Sequence, residues 1–263
     1  MDNDDRQVGR VLTRRQLLGL VGGGSLALFL GGGGLLGKIT YLPMVTGGEG
    51  GTAQPTATPT STPGGICVVR PEMTVGPYFV DEQLNRADIR SDPISGLVRV
   101  GTELRLALRV FSVGNNQCTP LPGAYVDIWH CDAAGLYSDV QNEGTVGQKF
   151  LRGYQVTDAN GAANFTTIYP GWYRGRAVHI HFKIRDALVA NPASYHFISQ
   201  FFFEESLTDQ VHSQAPYAAK GTRDTHNSED NIYLNSGGEQ MVLPVVQVGS
   251  HYEATFDIAF ALD

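Results

Sequence analysis

The chain has 263 residues, a formal net charge of −7 and only 17% charged residues. Nucleic-acid binding needs a basic surface that neutralises phosphates, so this charge argues against a nucleic-acid partner. The hydrophobic content of 42% is sufficient for a core, and the length allows one large domain or two small ones.

The N-terminal region contains a pattern typical of export signals. Thr13-Arg14-Arg15-Gln16-Leu17-Leu18 leads into an apolar stretch, residues 17–36, that is diluted by eight glycines. Paired arginines before a weakly hydrophobic stretch predict a twin-arginine signal within residues 1–45. An uncleaved membrane anchor is the alternative, because about 20 residues can cross a bilayer. We therefore expect an exported, extracytoplasmic protein, either secreted or tethered to the membrane through its N-terminus.

Residues 46–65 form a second compositional region that is rich in Gly, Thr, Pro and Ser, as in Thr56-Ala57-Thr58-Pro59-Thr60. A segment of this composition has no apolar face to bury, which predicts a flexible linker. The folded domain is therefore expected at residues 66–263, a length that suits one domain.

The folded part contains all three cysteines of the chain: Cys67, Cys118 and Cys131. They show no CxxC spacing, so a thiolate zinc site is not predicted. In an oxidising compartment one pair would form a bridge and the third thiol would remain free. The spacing leaves the pairing open.

After residue 66, the chain consists of short runs with alternating apolar residues, separated by turn residues such as Asp158-Ala159-Asn160-Gly161. The clearest strand-like runs are residues 103–110, 124–129, 163–167, 177–184, 198–203 and 252–261. No long helical stripe is present, although residues 206–219 have room for a turn or two of helix. The pattern predicts an all-β fold, an antiparallel β-sandwich with few short helices. A barrel of the cupin type is the alternative.

Two histidines and a tyrosine form the first candidate site. His179 and His181 are two residues apart on a predicted strand, so both imidazoles point to one face, and Ile180 and Phe182 point to the other. Such a pair supplies half of many metal sites, although core packing also explains many His-x-His pairs. Tyr173 lies six residues before His179 on a Pro-Gly turn that would bring its ring toward the same face.

Tyr137, which follows the predicted strand at 124–129, is a second tyrosine of interest. A phenol has a pKa of about 10 in water, so it binds metal only where a strongly acidic ion such as iron(III) stabilises its anion. Two phenolates and two neutral imidazoles would leave iron(III) with one net positive charge. For each tyrosine taken alone, an ordinary half-buried aromatic with a satisfied hydroxyl is the alternative.

Several motifs resemble the intradiol ring-cleavage dioxygenases, the family of protocatechuate 3,4-dioxygenase and catechol 1,2-dioxygenase. They occur in the family's order and at compatible spacings: Thr74-Val75-Gly76-Pro77-Tyr78, Gly123-Ala124-Tyr125-Val126-Asp127-Ile128-Trp129, Gly135-x-Tyr137, Pro170-Gly171-Trp172-Tyr173, Arg176-Ala177-Val178-His179-Ile180-His181-Phe182 and Gln200. The resemblance implies a β-sandwich with one Fe(III) per chain. It also implies a reaction in which O2 opens a catechol-type aromatic ring between its two hydroxyls, giving a cis,cis-muconate-type product.

The resemblance further implies roles for individual residues. The four iron ligands would be Tyr137, Tyr173, His179 and His181. Tyr173 matches the axial tyrosinate that leaves the metal when substrate binds, and Arg176 matches the arginine that stabilises negative charge on the activated catechol. The remaining matches border the substrate pocket or support it: Gly76, Pro77, Tyr78 and Gln200.

The chain also departs from the family pattern. The predicted signal and linker stand where the catechol and hydroxyquinol enzymes carry a helical region used for dimerisation, and only Arg174-Gly175 separates Tyr173 from Arg176. The motifs are closest to those of exported members of the family. The resemblance implies a small aromatic diol and O2 as partners without specifying the diol, and a homo-oligomer is compatible with the sequence.

Two other functions fit parts of the sequence. An exported β-sandwich on a linker also suits a non-catalytic module that binds carbohydrate or a cell-wall polymer, but binding alone gives no reason for all four candidate ligands. A cupin-type iron(II) oxygenase would use His179 and His181 but usually adds a nearby downstream glutamate, which residues 182–186 do not offer.

Other polar residues have plainer interpretations. His130 and Cys131 are expected to be structural neighbours of the strand that ends at Trp129. Four isolated histidines are expected to be solvated or capping residues: His196, His212, His226 and His251. A polar loop could bind a cation, but turn chemistry explains it equally well: Asp224, Asn227, Asp230 and Asn231.

Overall fold

The computed structural model describes residues 68–114, 117–186 and 195–262. The predicted signal segment, residues 1–45, and the predicted linker, residues 46–65, lie outside the described residues, as does Cys67. In the described ranges, no helix has the length and apolar character needed to cross a membrane.

Nine β-strands lie within the described residues. They are β1 (Glu103–Gly114), β2 (Gln117–Pro120), β3 (Tyr125–Trp129), β4 (Arg152–Val156), β5 (Ala162–Ile168), β6 (His179–Arg185), β7 (His196–Phe202), β8 (Val246–Val248) and β9 (His251–Ala261). The helical elements in the same ranges are short: α1 (Glu205–His212), α2 (Asn231–Asn235) and 3-10 turns at Gln141–Glu143, Tyr217–Lys220 and Gly238–Met241.

The strands build two sheets. In the first, β1 pairs antiparallel with β2 and β5 and parallel with β9, and β8 pairs with β9. The second sheet is antiparallel throughout, in the order β4-β3-β6-β7. The fold is therefore the β-sandwich that the sequence predicts, rather than a cupin-type barrel.

Alternating apolar residues explain how the two sheets pack. Every second residue of β1 from Leu104 to Val110 is buried, whereas the intervening Arg105 and Arg109 are exposed. On β6, the alternate residues Ile180, Phe182 and Ile184 belong to the same core. Burying a side chain of this kind contributes roughly 1.5–3 kcal/mol. The period-two pattern therefore fixes which face of β6 meets the core.

The opposite face of β6 is buried as well. His179 and His181 lie on that face and are at most 2% exposed. The chain that precedes β1 covers it, because Phe79 packs on Trp129 of β3 with ring centroids 4.8 Å apart. The same Phe79 ring lies 4.9 Å from Nζ of Lys183. The second sheet is thus covered on both faces, and the candidate site lies beneath this covering segment.

An ion-pair network fastens the covering segment to the sheet. The Arg185 guanidinium donates from Nε to Asp127 at 2.8 Å and from Nη1 to Asp81 at 2.7 Å. Burial by itself would lower the pKa of Arg185, but the hydrogen bonds to these two carboxylates raise it above its ordinary value. The pairing joins β6, β3 and the segment before β1 at one point.

The six strands predicted from sequence all overlap observed strands, and β2, β4 and β8 were missed. β4 reads Arg152-Gly153-Tyr154-Gln155-Val156, which shows no apolar alternation. Its glycine is explained by the fold, because a Cβ on Gly153 would lie 2.8 Å from Cγ2 of Ile89. β4 is specified by pairing with β3, and this long-range contact leaves no local pattern.

The cysteines divide as one bridge and one free thiol. Cys118 is disulfide-bonded, and Cys131 is a buried free thiol. Burial raises the pKa of the Cys131 thiol, so it remains protonated and chemically inert at neutral pH.

Candidate metal centre

Three separate parts of the chain supply the candidate ligands. His179 and His181 lie on β6, Tyr173 lies on the turn that precedes β6, and Tyr137 lies in the loop that follows β3. Gly135 of that loop has φ +82°, and a Cβ there would collide with the carbonyl of Trp172. The glycine of Gly135-x-Tyr137 is therefore needed for the two tyrosine-bearing loops to approach each other.

The side chains of these four residues converge. Nε2 of His179 lies 3.0 Å from Nε2 of His181 and 3.2 Å from Oη of Tyr173. The Tyr137 ring lies 5.7 Å from the Tyr173 ring and 6.3 Å from the His181 ring, measured between centroids. The structure therefore brings all four predicted ligands into one buried cluster.

A backbone hydrogen bond fixes the orientation of His179. Nδ1 of His179 lies 2.7 Å from the carbonyl oxygen of Ala177. A carbonyl only accepts, so Nδ1 carries the proton and Nε2 presents a lone pair to the cluster. This is the protonation pattern that a metal-binding histidine requires.

The Tyr137 hydroxyl is fully buried and has no hydrogen bond of acceptable geometry, and Nδ1 of His181 is also without a partner. Buried polar groups without partners are costly. A bound cation at the cluster would give the Tyr137 oxygen a partner. The residues present therefore fit a metal ion held by two oxygens and two nitrogens.

The electrostatics of the cluster support the same interpretation. Burial lowers the pKa of His179 to about 3 and lowers the pKa of His181 well below its ordinary value, so both imidazoles are neutral at pH 7. Burial, with a smaller contribution from Tyr173, raises the pKa of Tyr137 above 10. A Tyr137 phenolate would therefore require a compensating cation. In the described ranges, no three His, Cys, Asp or Glu side chains are grouped to hold a metal.

Aromatic packing holds the candidate ligands in place. The Trp129 ring stacks on His181 with centroids 5.0 Å apart and an interplanar angle of 4°. Tyr78 stacks on Tyr137 at 4.3 Å and meets the edge of Tyr173 at 5.9 Å. Tyr78 thus contacts both tyrosines. The stacking of Trp129 on His181 is not apparent from sequence, although Trp129 ends the motif Gly123-Ala124-Tyr125-Val126-Asp127-Ile128-Trp129.

Arg176 and Gln200 form a buried pair beside the histidines. Nη2 of Arg176 donates to Oε1 of Gln200 at 2.6 Å, and Gln200 lies opposite His181 in the sheet register. Nε of Arg176 donates to Oδ2 of Asp230 at 2.9 Å. Arg176 is 5% exposed, which excludes a solvated surface arginine. Sequence analysis placed Asp230 in a polar loop and did not connect it with the site.

A second buried arginine links the covering segment to the Tyr137 loop. Arg152 donates to the carbonyl oxygens of Tyr78 at 2.6 Å and of Ser138 at 2.7 Å. Its guanidinium carbon lies 5.9 Å from the centre of the Tyr137 ring. Sequence analysis missed Arg152 because it lies in β4, the strand without a recognisable pattern.

The comparisons with known proteins agree with this geometry. The family model described as Dioxygenase (Dioxygenase_C) matches residues 74–225, which include all four candidate ligands. A solved intradiol ring-cleavage dioxygenase from Tetranychus urticae is 33% identical, with a TM-score of 0.64 over 74% of this chain and 95% of that one. The chain belongs to the intradiol ring-cleavage dioxygenase family.

Two further relatives place the chain within this family. The dioxygenase domain of a dioxygenase–carbohydrate-binding protein fusion from Streptomyces sp. SirexAA-E is 25% identical, with a TM-score of 0.53 over 74% of this chain and 100% of that one. The hydroxyquinol 1,2-dioxygenase of Corynebacterium glutamicum is 28% identical over 176 residues, 55% of each chain. The chain thus spans about half the length of this curated relative.

Gly76 and Pro77, which match the family pattern, belong to the same segment as Tyr78. Gly76 has φ +68°, and its N–H donates to Oγ1 of Thr74 at 3.2 Å. Pro77 is exposed on the turn that carries Tyr78. Gln200 donates from Nε2 to the carbonyl oxygen of Thr74 at 3.0 Å. The motif that contains Gly76 and Pro77 is therefore joined to the Arg176–Gln200 pair.

Of the other histidines, His130 has the structural role that was expected, whereas His212 is not the solvated residue that was expected. His130 is a structural residue, with Nε2 2.7 Å from Oγ1 of Thr167. His212 is buried rather than solvated: its ring stacks on Tyr217 at 5.1 Å, and Nε2 lies 2.9 Å from the carbonyl oxygen of Pro170. The prediction for His212 was wrong because α1 packs against the turn before β6, a long-range contact.

The pH dependence of stability should report the burial of His130. Burial lowers the pKa of His130 from 6.5 to about 4, so between these values the unfolded chain binds a proton that the folded chain excludes. The contribution of neutral His130 to the free energy of unfolding is therefore fully present above pH 6.5 and is lost as the pH falls toward 4. The contribution to the slope is at most about 1.4 kcal/mol per pH unit.

Urea unfolding of metal-free protein at pH 7, 6 and 5 would test this, with His130→Gln as the comparison. Only the slopes are compared, so a constant loss of stability in the variant does not matter. We expect a shallower slope for His130→Gln, and equal slopes would contradict the assignment.

Proposed function

We propose that this chain is an Fe(III)-dependent intradiol dioxygenase that cleaves a catechol-type ring with O2 to a cis,cis-muconate-type product. The observation that carries the proposal is the convergence of Nε2 of His179, Nε2 of His181 and Oη of Tyr173, beside the unpartnered hydroxyl of Tyr137. Family membership supports it, since intradiol dioxygenases generally depend on Fe(III).

The chemistry of the donor set favours iron(III). Tyr137, Tyr173, His179 and His181 would hold the ion, and phenolate oxygen suits a hard, strongly acidic metal. When bound, the ion would act as a Lewis acid that favours loss of both diol protons, and it would accept electron density from the electron-rich catecholate, which makes the ring reactive toward O2.

Tyr173 is suited to a proton-transfer role. It is half-buried, whereas Tyr137 is fully buried beneath Tyr78. Its position on a turn gives it more freedom to move than the histidines, which are fixed on β6. In its phenolate form, Tyr173 would accept at Oη one of the two protons that a catechol loses on binding, and solvent would take the other.

Arg176 supplies a positive charge that does not depend on pH, because a guanidinium does not deprotonate in this range. Asp230 and Gln200 hold it in a fixed orientation. A preorganised cation at the site stabilises negative charge as it develops on the activated ring. This is the role that the resemblance to the family implies for Arg176.

The names of two relatives support a catechol-type substrate class. One is named a hydroxyquinol 1,2-dioxygenase, and another, from Candida albicans, is named a catechol 1,2-dioxygenase and is 32% identical over 111 residues. We extend only the class of small aromatic diol to this chain.

Removing Tyr137 tests the metal site. We expect the iron-loaded protein to show a visible tyrosinate-to-iron(III) band that shifts when catechol is added without oxygen. Tyr137→Phe should bind iron at least about 10-fold more weakly and lose most of the band, because one anionic ligand is missing. Tyr154→Phe is the matched control, since Tyr154 is a buried tyrosine of the same sheet that packs on Tyr125 outside the cluster.

A protein that stays colourless after iron reconstitution would overturn the iron(III) assignment. It would favour the non-catalytic carbohydrate- or cell-wall-binding sandwich instead. Equal bands in the two tyrosine variants would show that Tyr137 is not a ligand.

Activity is tested by oxygen uptake and product analysis over a panel of catechols. We expect one O2 consumed per diol, both oxygen atoms in the product and ultraviolet absorption of a muconate. Arg176→Gln should lower kcat by about 10²–10³-fold, the usual cost of one charge-stabilising donor. Arg109→Gln serves as the control, because Arg109 pairs with Asp257 on the exposed face of the other sheet. A ring opened outside the two hydroxyls would contradict the intradiol assignment.

We also propose that the chain is exported by the twin-arginine route, which carries folded and metal-loaded proteins. The supporting observation is Thr13-Arg14-Arg15-Gln16-Leu17-Leu18 ahead of the glycine-diluted apolar stretch. In a host with this route, the full chain should appear outside the cytoplasm, and R14K/R15K should retain it inside. The mass of the exported protein distinguishes a cleaved signal from a retained membrane anchor. Unchanged export of the double variant would exclude the route.

A further inference from the structure

Asp230 uses its two carboxylate oxygens for different purposes. Oδ1 accepts from the backbone N–H of Ile232 at 2.7 Å and of Tyr233 at 3.2 Å, which caps the start of α2. Oδ2 accepts from Nε of Arg176 at 2.9 Å and from the backbone N–H of Ala177 at 2.8 Å. The carboxylate is fully buried, so these contacts are not exchanged with water.

From Oδ2, one chain of hydrogen bonds runs through the Arg176 side chain. The guanidinium donates to Oε1 of Gln200 at 2.6 Å, and Nε2 of Gln200 donates to the carbonyl oxygen of Thr74 at 3.0 Å. Each acceptor in this series fixes the orientation of the next donor. Asp230 is therefore connected, through two side chains, to the segment that carries the pocket residue Tyr78.

A second connection runs through Ala177. Asp230 holds the N–H of this residue, and its carbonyl oxygen accepts from Nδ1 of His179 at 2.7 Å. That hydrogen bond keeps the proton on Nδ1 and leaves the lone pair of Nε2 facing the cluster. The position of Ala177 thus decides which nitrogen of His179 is available to a metal.

We propose that Asp230 is a positioning residue of the site. It orients the Arg176 guanidinium and, through Ala177, maintains the tautomer of His179 that presents Nε2 to the metal. None of the sequence motifs that identify the family contains Asp230. The proposed orientation of Arg176 rests on the proposed ring-cleavage function. The proposed control of the His179 tautomer does not, because it applies to the metal-free protein as well.

The variant Asp230→Ser separates the two purposes of the carboxylate. A serine hydroxyl is a good helix cap, so it replaces Oδ1 at α2 and leaves no atom in the place of Oδ2. Asp230→Asn is studied in parallel, because it keeps the side-chain volume in case the serine variant is unstable. The matched control is Asp224→Ser in the same loop, where Oδ1 accepts from the backbone N–H of Gly175 at 3.1 Å.

The first measurement is the ¹⁵N chemical shift of the His179 ring in metal-free protein. We expect a protonated Nδ1 and an unprotonated Nε2 in the wild type and in Asp224→Ser. Both Asp230 variants should show a mixture of the two tautomers. A purely structural role would lower thermal stability without changing this ratio. An unchanged ratio in the folded variants would overturn the connection through Ala177.

The second measurement is a double-mutant cycle with Arg176→Gln on the iron-loaded enzyme. We expect Asp230→Ser to lower kcat at least about 10-fold while KM changes less than about 3-fold, because the lost interaction acts on developing charge. The double variant should match Arg176→Gln within about 3-fold, since the two residues act as a unit. Fully additive losses would overturn the connection through Arg176.

The two measurements also separate this proposal from the proposed function. If the wild type cleaves no catechol, the dioxygenase function fails, and the tautomer ratio still decides whether Asp230 positions His179. If the wild type is active, the His179 tautomer ratio is unchanged in the Asp230 variants and the losses of kcat are additive, only the proposed role of Asp230 fails.

Discussion

The alternation of side chains along β6 is the constraint on which the rest of the site depends. A strand places successive residues on opposite faces, so Ile180 and Phe182 can complete the sandwich core only if His179 and His181 point away from it. A shift of the register by one residue would place the imidazoles in the apolar core and turn the aromatic and aliphatic side chains toward the candidate site. The hydrophobic packing that stabilises the fold therefore also fixes the direction of both histidines, with no separate cost for orienting them.

The second face of the sheet becomes a site because other parts of the chain cover it. Phe79 and Tyr78 pack over Trp129 and Tyr137, and Arg152 joins the covering segment to the Tyr137 loop. This covering removes water from two imidazoles and a phenol, which keeps the imidazoles neutral and disfavours the phenolate. A cation is the simplest partner for such a set, because it uses the nitrogen lone pairs and compensates the phenolate charge. The same covering segment therefore buries the candidate ligands and makes a cation a favourable partner for them.

Much of the fold was predictable from local sequence patterns, whereas most of the site was expected from the resemblance to a known family. Period-two runs identified six strands, and the spacing of His179 and His181 placed them on one face. The convergence of Tyr137 with them was expected only from the resemblance to the dioxygenase family, since no local rule joins positions so far apart in the chain. β4 and Arg152 were missed, because β4 is defined by pairing with β3 rather than by its own composition. His212 was misjudged for a similar reason, since its burial depends on the turn before β6.

By itself, the sequence determined the alternation of apolar residues and the set of residue types able to hold a hard metal ion. These are properties of single residues and their near neighbours, which is why they can be read along the chain. Only the tertiary structure decided that Asp230 meets Arg176 and Ala177, that Trp129 supports His181, and that Tyr78 covers Tyr137. Each of these contacts joins segments that are distant in sequence or on different strands, and such contacts are specified by the packing of the whole domain rather than by any one segment.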